Sequence, residues 1–151
     1  MTCFTWPVRI YYEDTDHGGV VYYANYLKFM ERCRTELLRS KNIEQHELIV
    51  SHELMFAVKR MDIEYKKPAR LDDLLLVTAT MSDASRVQIR FKQRIFRLHS
   101  HDELLNHQWL DEATLSSGEE LSSADFSIVS VDSETLKVKR IPVSIFKELM
   151  G

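Results

Sequence analysis

Residues 11–39 read YYEDTDHGGVVYYANYLKFMERCRTELLR, and the change of periodicity within them decides the architecture. Before them Trp6, Val8, Ile10 and Tyr12 lie on one side of a period-two pattern, with Arg9 and Tyr11 on the other, which predicts a strand over residues 4–12. Residues 13–19 have the composition of a turn, and Gly18 with Gly19 permits positive φ or the close approach of another group. From about Val21 to Arg39 the residues Tyr22, Tyr26, Phe29, Met30, Cys33 and Leu37 recur at three- and four-residue steps. That spacing predicts one long helix with a buried face.

Working outward, residues 44–50 suit a short second helix. Residues 56–66 alternate again, with one slip at Arg60 and Met61 that a bulge would absorb. Further strands are predicted over 74–81, 86–98 and 123–131, the first two joined by a hairpin connection at 82–85. A short amphipathic segment over 145–150 ends the chain. Residues 99–121 are polar yet contain Leu104, Leu105, Trp109, Leu110 and Leu115. A long hairpin, a short helix or a mobile flap all fit, and order or a partner surface is expected there. The pattern is α+β: a single domain over residues 1–151, with about five strands, four of them in an antiparallel meander, in a sheet curved around one long helix.

The 151 residues carry a net charge of −3 with scattered basic residues, which argues against a nucleic-acid or polybasic membrane footprint. No apolar run approaches a spanning helix, and the N-terminus lacks the pattern of a secretory signal. The two cysteines, Cys3 and Cys33, match no zinc or CxxC spacing, and a reduced, cytoplasmic setting is expected. The six histidines form no HxxxH or HExxH arrangement, so no metal is expected.

Within residues 11–26 an acidic cluster, adjacent glycines and an aromatic helix start coincide. From residue types alone, Asp16 reads equally as a turn or N-cap aspartate and as a chemical carboxylate. Glu13 and Asp14 read as structural or solvated, and His17 as an exposed turn residue. Tyr22, Tyr26 and Phe29 suit a core, whereas Tyr23 suits a pocket wall.

The string over residues 11–36, YYEDTDHGGVVYYANYLKFMERCRTE, resembles the YbgC-type acyl-CoA thioesterases of the 4-hydroxybenzoyl-CoA thioesterase family. The likeness extends to WPVR at 6–9, PARLDD at 68–73, QRI at 93–95 and VD at 131–132. Two positions depart from the usual pattern: His17 replaces a small residue, and Tyr23 stands where the YbgC branch often has histidine.

The resemblance implies a hotdog fold, with the sheets of two subunits joined edge to edge, active sites at the dimer interface, and tetramers built from dimers. It implies acyl-CoA or acyl-carrier-protein thioesters as substrates, no cofactor, and an association with the Tol-Pal envelope system on the cytoplasmic side. Carried over residue by residue, Asp16 is the catalytic carboxylate, as nucleophile or general base. The backbone N–H of Tyr23 is the oxyanion donor at the helix start, and Gly19 completes the catalytic loop. His17, Gly18, Tyr22 and Tyr26 are candidates for substrate contact, and Arg70, Arg86 and Lys67 for the phosphates of coenzyme A. A scaffold role, with residues 99–121 holding an envelope or lipid-synthesis partner, is the alternative.

Overall fold

The structure, a computed structural model, describes residues 1–99 and 103–151. The expectation for residues 99–121 therefore falls partly, at 100–102, outside the described residues. Among the described residues six strands form one antiparallel sheet: β1 Thr2–Arg9, β2 Leu54–Tyr65, β3 Leu74–Ala84, β4 Gln88–Leu98, β5 Trp109–Asp111 and β6 Glu119–Asp132. Their spatial order is β2-β6-β4-β3-β1-β5. Three α-helices accompany them among the described residues: α1 Asn25–Ser40, α2 Gln45–His52 and α3 Val143–Met150. Among the described residues no helix is long and apolar enough to cross a membrane.

The long helix lies on the sheet because its stripe and the inward faces of the strands are both apolar. Phe29, Met30, Cys33 and Leu37 pack with Phe4, Val77, Ile95 and Phe126, all buried. Burying side chains of this size stabilises by about 1.5–3 kcal/mol each. Period-two alternation sends Leu76 and Phe96 to the opposite face, where they form a second cluster with Cys3, Leu110 and Leu115.

That second cluster accounts for the described part of residues 99–121. Its 3-10 turns, Glu103–Asn106 and Glu112–Leu115, and the short strand β5 cover the outer face of β1, β3 and β4. The sheet thus gains a sixth strand beyond the expected five, because Thr2, Cys3 and Phe4 pair with Asp111, Leu110 and Trp109.

The predicted bulge in β2 is present between Val58 and Arg60, and it returns Met61, Ile63 and Tyr65 to the face of Val58. The meander is corrected. β3 and β4 form a hairpin, but β2 pairs with β6, which separates it from β4. The reason lies in residues 66–73, which make no tight turn: Ala69 O accepts the N–H of Val21 and Leu71 N donates to Gly19 O, carrying the chain across the end of the sheet.

Candidate active site

Residues 14–22 form a small ribbon. Asp16 N donates to Val20 O at 2.9 Å and Tyr22 N to Asp14 O at 3.1 Å. Its outer strand pairs through Val20 with Arg70. This corrects the helix boundary expected near Val21. Val20, Val21 and Tyr22 are extended, and α1 starts at Asn25, entered by i→i−3 bonds from Asn25 to Tyr22 and from Tyr26 to Tyr23.

The ribbon is braced on all sides. Asp14 is structural: its Oδ2 accepts the N–H of Tyr11 at 2.9 Å, and its carbonyl accepts the side-chain amide of Asn25 at 2.9 Å. The buried Tyr26 hydroxyl accepts the N–H of Ala69 at 2.8 Å, so Ala69 is held through both its N–H and its carbonyl. Tyr26 is thus a core residue that also edges a cavity of about 230 Å³ with Tyr23 and Tyr65. Burial, followed by the neighbouring phenols Tyr23 and Tyr26, holds the Tyr65 phenol above its ordinary value. Its hydroxyl donates to the carbonyl of Tyr23 at 3.2 Å.

At the ribbon tip, Asp16, His17 and Gly18 are exposed. Asp16 Oδ1 accepts the N–H of Gly18 at 2.9 Å. Gly19 has φ +75°, the left-handed region, and open space where a Cβ would stand. Gly18 has no such backbone, and a side chain there would meet Asp16 at an ordinary 3.5 Å. Asp16, His17 and Gly19 line a cavity of about 500 Å³ with Tyr12, Thr15 and Leu71.

The helix start carries no side-chain cap, and the N–H groups of Tyr23 and Ala24 have no acceptor among the described residues. These are the unsatisfied donors that the first turn of any helix presents. Val20 is the ribbon partner of Asp16, and three residues of backbone separate it from Tyr23, at most about 10 Å.

The structure thus gathers Asp16, His17, Gly18, Gly19, Tyr22, Tyr23 and Arg70 at one end of the sheet. Arg70 is exposed, and its N–H donates to Asp73 at 2.8 Å. Arg86 is not among them. It sits at the far end of β3, where its Nε donates to Ile141 O at 2.9 Å. Tyr12, Tyr65 and Leu71 escaped the sequence reading. Tyr65 and Leu71 reach the site only through the crossing of residues 66–73, a pairing that no local pattern announces.

Three comparisons place the chain among known proteins. Residues 18–103 match the thioesterase superfamily, a span that begins two residues past Asp16. The acyl-CoA thioester hydrolase YbgC of Escherichia coli O6:H1 is 39% identical over 147 residues, 97% of this chain and 96% of that protein. The acyl-CoA thioesterase YbgC of Haemophilus influenzae is 51% identical over 94 residues, 62% of this chain and 69% of that one. In fold, the crystal structure of a 1,4-dihydroxy-2-naphthoyl-CoA thioesterase from Synechocystis superposes with a TM-score of 0.77 at 21% identity, covering 98% of this chain and 95% of the other. The chain belongs to the thioesterase superfamily, among its YbgC-type hotdog members.

Proposed function

We propose that the protein hydrolyses acyl-CoA or acyl-carrier-protein thioesters of small acyl groups, with Asp16 and the Tyr23 N–H as its working parts. The observation that carries the chemistry is the ribbon: it presents the Asp16 carboxylate at its tip and leads into a helix start whose N–H donors are unpaired. The thioester carbonyl sits between them. Its oxygen takes the Tyr23 N–H, where negative charge develops in the transition state.

Asp16 acts in one of two ways. As general base it takes a proton from water, whose oxygen adds to the carbonyl carbon. The C–S bond then breaks, and the thiolate leaves and is protonated. As nucleophile its own oxygen adds, the thiolate leaves, and water cleaves the resulting anhydride to the free acid and Asp16. Neither route draws on a metal or cofactor.

Asp16 is exposed in the single chain, in keeping with a site that two copies complete. The cytoplasm suits two buried, unpaired cysteines. The scaffold alternative gains less support. Leu104, Leu105, Leu110 and Leu115, which would serve a partner, pack on the outer face of the sheet.

The test is thiol release from a panel of acyl-CoA thioesters of graded length with one benzoyl member. Turnover of short acyl groups is expected. No release from any of them would overturn the proposal.

A further inference from the structure

A stripe runs along one side of α1 and into the turn before it: Tyr23, Leu27, Glu31, Arg34 and Leu38, at steps of three and four residues. Each of these residues lines a cavity, and each cavity has β2 as its other wall. Tyr23 faces Tyr65 across about 230 Å³. Leu27 and Arg34 share about 460 Å³ with Val58 and Met61. Arg34 and Leu38 share about 120 Å³ with Phe56. The last two cavities have Glu31, Arg34 and Val58 in common, so they adjoin. The cavities thus follow one another along the trough between α1 and β2, from Tyr23 and Tyr65 at one end to Leu38 and Phe56 at the other.

Lys28, Glu31 and Arg32 also line the trough, and among its charged residues Arg34 is the buried one. It is 9% exposed, and its guanidinium carbon lies 4.2 Å from the ring centroid of Phe126. Nη1 donates to Gln93 Oε1 at 2.8 Å, and Gln93 is itself held by its own donations to Met30 O and Thr78 O. The other guanidinium nitrogens have no protein acceptor, and no carboxylate lies within 4.0 Å of them among the described residues. Glu31, which edges the same cavities, accepts instead from the Thr35 hydroxyl at 2.9 Å. No fully buried side-chain nitrogen lacks a partner among the described residues, so the idle nitrogens keep contact with the space beside them. A desolvated guanidinium with one neutral hydrogen bond is costly unless an anion meets it.

We infer that the trough takes the acyl group and that Arg34 receives a carboxylate at its far end, so that the favoured substrates are half-thioesters of dicarboxylic acids. This rests on the hydrolase reading and adds the acyl class to it. The helix rises about 1.5 Å per residue, which sets Arg34 about 16 Å beyond Tyr23. Its side chain leans back toward the helix start, shortening that span. Leu27, Val58 and Met61, which share the lining with Lys28, Glu31 and Arg32, match the methylene chain, and the planar fork of the guanidinium matches a carboxylate.

The experiment compares the CoA half-thioesters of adipate, suberate and sebacate with hexanoyl-, octanoyl- and decanoyl-CoA on the wild-type protein. At one of these lengths kcat/KM is expected to favour the carboxylate by about tenfold or more, the worth of one charge-assisted hydrogen bond. Arg34→Met should abolish that preference while still cleaving the uncharged ester, and Arg34→Lys should keep part of it. Hydrolysis with no preference for the carboxylate at any length overturns the inference and leaves the hydrolase reading standing. Failure of all six esters strikes the hydrolase reading instead. If Arg34→Met changes the oligomeric state and leaves selectivity as it was, the guanidinium serves a subunit contact and the inference falls. The wild-type comparison decides even if the variants do not fold.

Discussion

Asp16 Oδ1 accepts the backbone N–H of Gly18 at 2.9 Å, while no donor engages Oδ2 among the described residues. One oxygen shapes the loop and the other stays available for chemistry. Asp16→Asn separates the two roles, because an amide oxygen can still accept from Gly18 and hold the turn. The variant should melt within about a degree of wild type, since no packed group is lost. Thioester turnover should fall by about 10³-fold, as expected when a general base or nucleophile is removed. Thiol release and a thermal melt on one preparation check both, and retained turnover would remove Asp16 from the mechanism.

The Tyr23 N–H has no acceptor among the described residues, so a proline there deletes the donor without breaking a hydrogen bond seen among them. Tyr23→Pro should therefore lose about 10²–10³-fold in kcat, the cost of one oxyanion donor. Tyr23→Phe retains the peptide and should stay within about threefold. Equal effects from both variants would mean that the phenol, and not the backbone, carries the function.

Gly19 needs its φ of +75° and not its lack of bulk, since nothing lies within 4 Å of a Cβ built on it. Gly19→Ala should cost about 1 kcal/mol from the left-handed conformation, or about 2–4 °C in a melt. Gly19→Asn should cost less, because asparagine tolerates that region. If alanine and asparagine were equally harmful, steric access by the substrate would be the better explanation.

How much of this was open to a sequence reading depends on where each contact partner lies along the chain. The bulge at Val58 was legible because it shifts a period-two pattern within a single strand. Asp14 was legible as a structural residue because turn chemistry is local, whereas residue types alone left Asp16 open between a turn aspartate and a chemical carboxylate. The start of α1 was misplaced because Val20, Val21 and Tyr22 suit helix and strand alike, and their pairing is settled by Ala69 and Leu71, some fifty residues away. The sheet order was missed for the same reason. Arg86 could be assigned to a phosphate rim only as a lone charge, and nothing nearby in sequence announces its bond to Ile141.

The two thiols should be silent in the native state. Burial, then the nearby carboxylate of Glu112, pushes Cys3 up to about 11, and burial pushes Cys33 higher still. Since the thiolate is the reactive form, a thiol reagent at mild alkaline pH should label the native protein slowly and the denaturant-unfolded protein rapidly. Fast labelling of either cysteine under native conditions would show that its cluster opens readily.

Glu120 joins two strands and a loop by charge. Its Oε1 accepts from Lys66 at 2.7 Å and its Oε2 from Arg94 at 2.5 Å. Burial alone would raise its pKa, but the hydrogen bonds from Arg94 and Lys66 outweigh that and hold it below the ordinary glutamate value. A carboxyl depressed in the folded state binds fewer protons there than when unfolded. Its stabilisation is therefore complete above the ordinary glutamate range and is lost as pH falls through the lower folded value. Glu120→Gln should cost about 1.5 kcal/mol at neutral pH, a central figure for a hydrogen bond to a charged group. The difference between wild type and variant should then shrink steadily on acidification below about pH 4.3. Parallel melts of the two proteins across that range check this, and a gap that stayed constant or widened in acid would mean that Glu120 acts through packing and not through its charge.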